Sequence, residues 1–328
     1  MRIMKKIFLF TVVAAALCAC LTGCRKDSLS STSVFPDEPV VMNNFDKWLY
    51  TNFTAPYNVR FIYRYDDAET DNSYNLVPPV YEKAIGMAVL IRENWVNTYI
   101  EAVDSDFVKT YCPRIYQLLG SNEYNSQHSK VLGTAEGGLK ITLFGVNDID
   151  LSNLYINLDK IDRDPASSPL DLNYWYFHTM HHEFCHILTQ KVNYDMAYRE
   201  ISAGEYHSAD WVNVGYEQAW VEGFVSGYGS GEYNEDFAEM YSTYVTSTKE
   251  AWDAMLKVAA GTSGDYGDGH GAEKIENKLK IVREYFKGVW NIDIDQMRDI
   301  VLAHSRMVVE KSFDLPDKVE SIKAGNKI

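Results

Sequence analysis

Residues 181–190 read HHEFCHILTQ, and within them His182, Glu183 and His186 have the spacing H-E-x-x-H. Residues four apart share one face of an α-helix, so a helix here aims two imidazoles at a single point. Imidazole nitrogen is a strong zinc ligand. Glu183 follows His182 by one position, about 100° round a helix of 3.6 residues per turn. That offset keeps its carboxylate off the metal but within reach of a water bound there. Zinc lowers the pKa of such a water, the glutamate takes its proton, and hydroxide attacks a polarised carbonyl. Tyr176, Met180, Phe184, Ile187 and Leu188 recur at three- and four-residue spacing and make the apolar back of the same helix. The histidines therefore face a cleft. The pattern predicts a helix over residues 172–191, with Glu183 as catalytic base.

A catalytic zinc takes three protein ligands and leaves one position open, so the chain must supply a third. A downstream histidine of the metzincin pattern would need Gly at 189 and His at 192, where this chain has Thr189 and Val192. "GTSGDYG", from Gly261, resembles a G-T-x-D aspartate motif, but Asp265 falls one place late and in a glycine-rich loop. "YNEDFAEMYSTYV", from Tyr233, fits better. Glu235 and Glu239 are four apart and share a face, while Phe237, Tyr241 and Tyr244 make the opposite, apolar side. The pattern resembles the E-x-x-x-[DE] helix of gluzincins of the thermolysin and lethal-factor type. That likeness implies one catalytic Zn2+ bound by His182, His186 and Glu235, with Glu239 supporting a ligating histidine or the fold. Tyr228 precedes Glu235 by seven residues, where lethal-factor-like enzymes have a tyrosine near the reacting carbonyl; it is the candidate oxyanion donor. His181 reads as structural, and His178 as a supporting or surface group. His128, His207, His270 and His304 sit in no motif.

The elements that position these groups follow from the rest of the 328-residue chain. "YNVRFIYRY" from Tyr57 and "RIYQLLGS" from Arg114 read as strands, and "GTAEGGLKITLFGV" from Gly133 as a glycine-led strand, an edge to pair with an extended peptide. Pro79 opens a long helix with Ala84, Met87, Ala88, Ile91, Trp95 and Tyr99 on one side. Past Gln190 a loop region runs to about Gly231, and helix follows, most clearly over 272–287 and 294–311. The layout predicts an α+β fold of zincin type: a mixed sheet in the N-terminal part (43–191), the active-site helix, and a mostly helical C-terminal part (192–328). The formal net charge of −15 argues against nucleic-acid partners and against general binding to anionic membranes.

Arg2, Lys5 and Lys6 precede an apolar run from Ile7 to Leu21, too short to span a bilayer comfortably. It ends in Leu21-Thr22-Gly23-Cys24, which resembles the lipobox of bacterial lipoproteins. Residues 1–23 are then the leader, Cys24 carries the lipid anchor, and the Ser/Pro/Asp-rich segment 24–42 is a tether. Arg25 in place of Asp favours the outer membrane, with a periplasmic or cell-surface site of action. Cys112 and Cys185 remain and are expected as buried free thiols, with a bridge between them as the alternative.

Together the lipobox LTGC, "PYNVRFIYRY", "LGTAEGGLKITLFGVN", "HHEFCHILTQ", "GFVSGYG" and "EDFAEMYSTYV" resemble the substrate import-associated zinc metallohydrolase lipoproteins. The resemblance spans nearly the whole mature chain. It implies a zinc metallohydrolase lipoprotein of the outer membrane, partnered with a TonB-dependent importer and its nutrient-binding lipoprotein, and it implies no particular substrate. The first reading is a zinc metallopeptidase that trims a peptide or glycoprotein substrate for import. A non-catalytic peptide- or glycan-binding lipoprotein and a metallohydrolase acting on a non-peptide bond are the competing readings.

Overall fold

A computed structural model describes residues 41–66, 68–69, 75–124, 130–131, 133–136 and 139–326. The expected leader, Cys24, nearly all of the expected tether, and His128 lie outside the described residues. The compact unit begins at Met42 and is mostly helical around a small mixed sheet. Its strands are β1 (Arg60–Ile62), β2 (Ile115–Leu118), β3 (Glu123–Tyr124), β4 (Lys130–Val131), β5 (Gly133–Glu136) and β6 (Lys140–Leu143). The main sheet has the order β1-β2-β6-β5, and β3 and β4 form a separate antiparallel pair. β1, β2 and β6 run parallel, with Phe61 opposite Tyr116 and Tyr116 opposite Ile141. β5 returns antiparallel on β6 at the edge, with Thr134 opposite Thr142. All four residues of β6 are buried, as expected for a parallel strand covered on both faces. Among the described residues no helix is long and apolar enough to cross a membrane.

Three elements depart from the sequence reading. The first strand is cut to Arg60–Ile62, because Tyr57 ends a helix and Asn58 adopts a left-handed conformation with φ of 55°. The stretch from Gly133 is two strands rather than one. Period-2 alternation cannot tell a long strand from a hairpin, though a Gly-Gly pair such as 137–138 is a hairpin signal; those two residues lie outside the described ones. The loop region after Gln190 contains short helices, Ala197–Ile201 and Tyr216–Glu222, too short for periodicity to reveal. The helix after Pro79 covers residues 81–102, and the two late helices are Gly271–Trp290 and Ile294–Val309. Cys112 and Cys185 are buried free thiols.

The motif helix spans residues 173–191, its first five residues in a wide π-type turn. Its apolar back lies on the long helix 81–102: the Phe184 ring meets Trp95 at 5.1 Å and Tyr99 at 4.9 Å, both edge-on. The acidic helix, Tyr233–Val245, is held from behind. Phe237 stacks on Tyr194 and Tyr241 on Phe286, each at 4.0 Å between ring centres. Between these contacts Asp236 forms a fully buried ion pair with Lys278 at 2.7 Å. Tyr206 donates to the same carboxylate, and Lys278 also donates to the Gly223 carbonyl. Burial pushes the Asp236 pKa up and the Lys278 pKa down, each opposed by the other's charge.

Two predictions follow from packing alone. Lys278→Ala leaves Asp236 as an uncompensated buried charge and should cost about 3–5 kcal/mol in denaturant unfolding; a loss under about 1 kcal/mol would show the pair is not holding the helix. Gly227 has an ordinary negative φ of −58°, but a Cβ there would sit 2.2 Å from the Val214 carbonyl oxygen. Gly288, inside the helix Gly271–Trp290, faces nothing within 4 Å. Gly227→Ala should therefore destabilise by about 1–3 kcal/mol, the usual scale of overpacking. Gly288→Ala should stabilise by about 1 kcal/mol, through helix propensity. Equal effects of the two in thermal unfolding would contradict the packing described.

Candidate metal centre

Tyr174, His178, His182 and His186 succeed one another at four-residue steps and form the cleft face of the motif helix. The acidic helix crosses this face with its first two turns. Its N-terminus is capped by the Glu232 side chain, which accepts from the Glu235 amide, and carboxylates in the first turn suit the positive end of the helix dipole. His182 Nε2 lies 3.0 Å from Glu235 Oε2 and 3.0 Å from His186 Nε2, and His186 Nε2 lies 3.3 Å from the same Glu235 oxygen. These are the only three or more metal-donor residues gathered in this way among the described residues. Two imidazoles and a carboxylate are the donor set of a catalytic zinc, and a tetrahedral zinc spaces its ligand atoms by about 3.3 Å. The residues present fit the ion.

The other nitrogen of His182 is also engaged. Nδ1 lies 2.9 Å from Glu239 Oε1, and the second oxygen of Glu239 accepts from the Ser226 hydroxyl at 2.6 Å. In the neutral ring this fixes the proton on Nδ1 and leaves the Nε2 lone pair directed at the cluster. Burial opposes charge on His182, but hydrogen bonds to Glu235 and Glu239 outweigh it and hold its pKa well above the usual histidine value. Burial likewise works against both carboxylates and loses. His182 and His186 hold the Glu235 pKa far below normal, and His178, His182 and Ser226 bring Glu239 down to about 2. Two carboxylates held ionised around one buried imidazole make a site that favours positive charge, which the ring proton gives and a divalent cation would also give.

His178 Nε2 reaches Ser242 Oγ at 3.0 Å and Glu239 Oε1 at 3.4 Å, which places it beside the supporting carboxylate rather than in the donor cluster. Burial lowers its pKa to about 4. His181 points into the core, where its Nδ1 meets the Tyr99 hydroxyl at 2.9 Å. Glu183 is half-buried on the motif helix and stands outside the three-atom cluster, yet its charge is felt by both His182 and Tyr228. The Tyr228 ring lies 5.7 Å from the His182 ring, and the side chain is 39% exposed. Burial, then the Glu235 carboxylate, pushes its pKa above the usual phenol value, so it stays protonated. Asp265 is exposed and absent from the cluster. His207, His270 and His304 pair with Glu222, Glu273 and Glu101. Sequence reasoning missed Ser226: a serine two places before Tyr228 has no spacing that points to a carboxylate thirteen residues on.

Comparison with known proteins places the chain in a family. No curated protein matches the chain significantly. A crystal structure described as "a putative zinc-binding metallo-peptidase" from Bacteroides caccae ATCC 43185 is 32% identical, with a TM-score of 0.64, over 83% of this chain and 95% of that one. Residues 38–295 match a family model whose description is "Putative zinc-binding metallo-peptidase". With most of its length matched, and with a His/His/Glu cluster in the folded chain, this protein belongs to that family.

Proposed function

We propose that the chain is a zinc-dependent peptidase of gluzincin type on a zincin-like fold. The observation that supports this most is the convergence of His182, His186 and Glu235 from two helices, with Glu183 on the same helix as the histidines. In this reading those three residues hold the zinc, and Glu239 fixes the tautomer of His182. Zinc bound there supplies a Lewis acid that polarises the scissile carbonyl and acidifies water. Glu183 accepts a proton from the attacking water as its oxygen bonds to the carbonyl carbon, then returns that proton to the nitrogen as the C–N bond breaks. Tyr228, held protonated, donates to the oxygen on which negative charge develops. β5, the antiparallel edge strand among the described residues, packs near the motif helix and is the strand on which an extended substrate backbone would pair.

The cellular setting belongs to the same proposal and rests on the sequence resemblance. The chain is anchored through Cys24 as an outer-membrane lipoprotein and trims peptides or glycoproteins for a TonB-dependent importer and its nutrient-binding lipoprotein.

The test is metal analysis joined to cleavage profiling on a mixed peptide library. The wild-type protein should hold one zinc and cleave. His182→Ala should lose the metal, since two remaining ligands hold it poorly. Glu183→Gln keeps the size of the side chain but cannot take a proton, so it should retain zinc and lose about 10²-fold or more in hydrolysis. Wild-type rates in Glu183→Gln would refute the mechanism. Equal binding of peptide or glycan by both forms, with no cleavage by either, would favour a binding lipoprotein instead.

A further inference from the structure

The segment GFVSGYGSG, residues 223–231, runs past the metal centre between the short helix Tyr216–Glu222 and the acidic helix. It begins at Gly223, whose φ of 95° ends the short helix. Phe224 and Val225 are fully buried. Ser226, which is 7% exposed, uses its one hydroxyl twice. It donates to Glu239 Oε2 at 2.6 Å and accepts from the Gly229 amide at 3.0 Å. Serine has one proton and two lone pairs, so both bonds are made at once. Gly229 faces the acidic helix: a Cβ there would meet Glu239 Cβ at 3.4 Å and Asp236 Cα at 3.5 Å. The turn is closed again by Ser230, whose side chain and amide both donate to the Gly227 carbonyl. Tyr228 sits at its apex, beside His182 on one side and Trp211 on the other.

These bonds meet at Glu239: Gly229 N–H donates to Ser226, and Ser226 O–H and His182 Nδ1–H each donate to one oxygen of the Glu239 carboxylate. The Gly229 N–H bond polarises the Ser226 hydroxyl toward Glu239, and the two donors together fix the plane of that carboxylate. We propose that Ser226 is a positioning residue that ties two parts of the centre together, the orientation of the His182 imidazole through Glu239 and the placement of Tyr228 through the Gly229 turn. Without the hydroxyl, Glu239 keeps its bond to His182 but loses the group that fixes its second oxygen, and the turn loses its internal cap. Ser226 touches neither the donor atoms of the cluster nor a reacting atom.

The inference rests on the proposed zinc site for one arm of its test and is independent of it in the other. In the first arm, zinc affinity is measured by competition with a chromophoric chelator. Ser226→Ala should weaken zinc about tenfold, the low end of the 10–100-fold range for groups behind a ligand, and Ser226→Thr should restore it. Glu239→Ala should weaken zinc by about 10–100-fold, and adding Ser226→Ala to it should weaken it no further, because the serine acts through that carboxylate. In the second arm, a metal-free crystal structure of Ser226→Ala should show the Tyr228 ring displaced from its 5.7 Å separation from His182. Full zinc affinity in Ser226→Ala, or a further tenfold loss on top of Glu239→Ala, overturns the link to His182. An unmoved Tyr228 ring overturns the link to the turn. Failure of the unsubstituted protein to bind zinc counts against the metal site itself, and the crystallographic arm then decides Ser226.

Discussion

Both ring nitrogens of His182 face carboxylates of a single helix, and the site depends on that clamp. Glu235 takes Nε2 and Glu239 takes Nδ1, at 3.0 and 2.9 Å. Such an arrangement is costly to build. Two carboxylates and an imidazole lie in a largely buried setting, where an uncompensated charge is strongly destabilising. It persists because the two helices are fixed by contacts on their far sides. The back of the motif helix is pinned to Trp95 and Tyr99, and the back of the acidic helix to Tyr194 and Phe286. A charged site on the facing sides is thus held by apolar packing behind it, the usual way a scaffold keeps polar groups at fixed spacing.

The acidic helix divides its charges by direction. Glu235 and Glu239, four apart, point at the histidines. Asp236, one step round, points instead into the core at Lys278. The ion pair is shielded by Tyr206 and by the Phe224 ring, 4.0 Å from the Lys278 ammonium. Neighbouring acids on one helix therefore do different work: two face the histidines, and the third orients the helix that carries them. Phe224 also belongs to the segment that bears Ser226 and Tyr228, so the core ion pair and the metal centre share one stretch of chain.

Much of the site was legible because it is built from local spacing. A four-residue interval puts His182 and His186 on one face, and the same interval does so for Glu235 and Glu239, whatever the fold around them. That the two faces meet is a long-range fact, reached only through likeness to glutamate-ligated enzymes. What spacing could not show was contact without period. Ser226 meets Glu239 across a turn, Asp236 meets Lys278 across two helices, and His178 meets Glu239 because the helices happen to cross there. The sheet was read less well than the helices. Its strands are three or four residues long, too short for alternation to set their ends, and β5 and β6 were merged into one. The helix Tyr216–Glu222 escaped for the same reason of length.

The central claim is that the three donor atoms hold one metal ion. Crystals grown with zinc, measured on both sides of the zinc absorption edge, address it directly. The account predicts a single strong anomalous peak about 2.0–2.2 Å from His182 Nε2, His186 Nε2 and a carboxylate oxygen of Glu235. A peak bound elsewhere, or none at this cluster under saturating zinc, would contradict it.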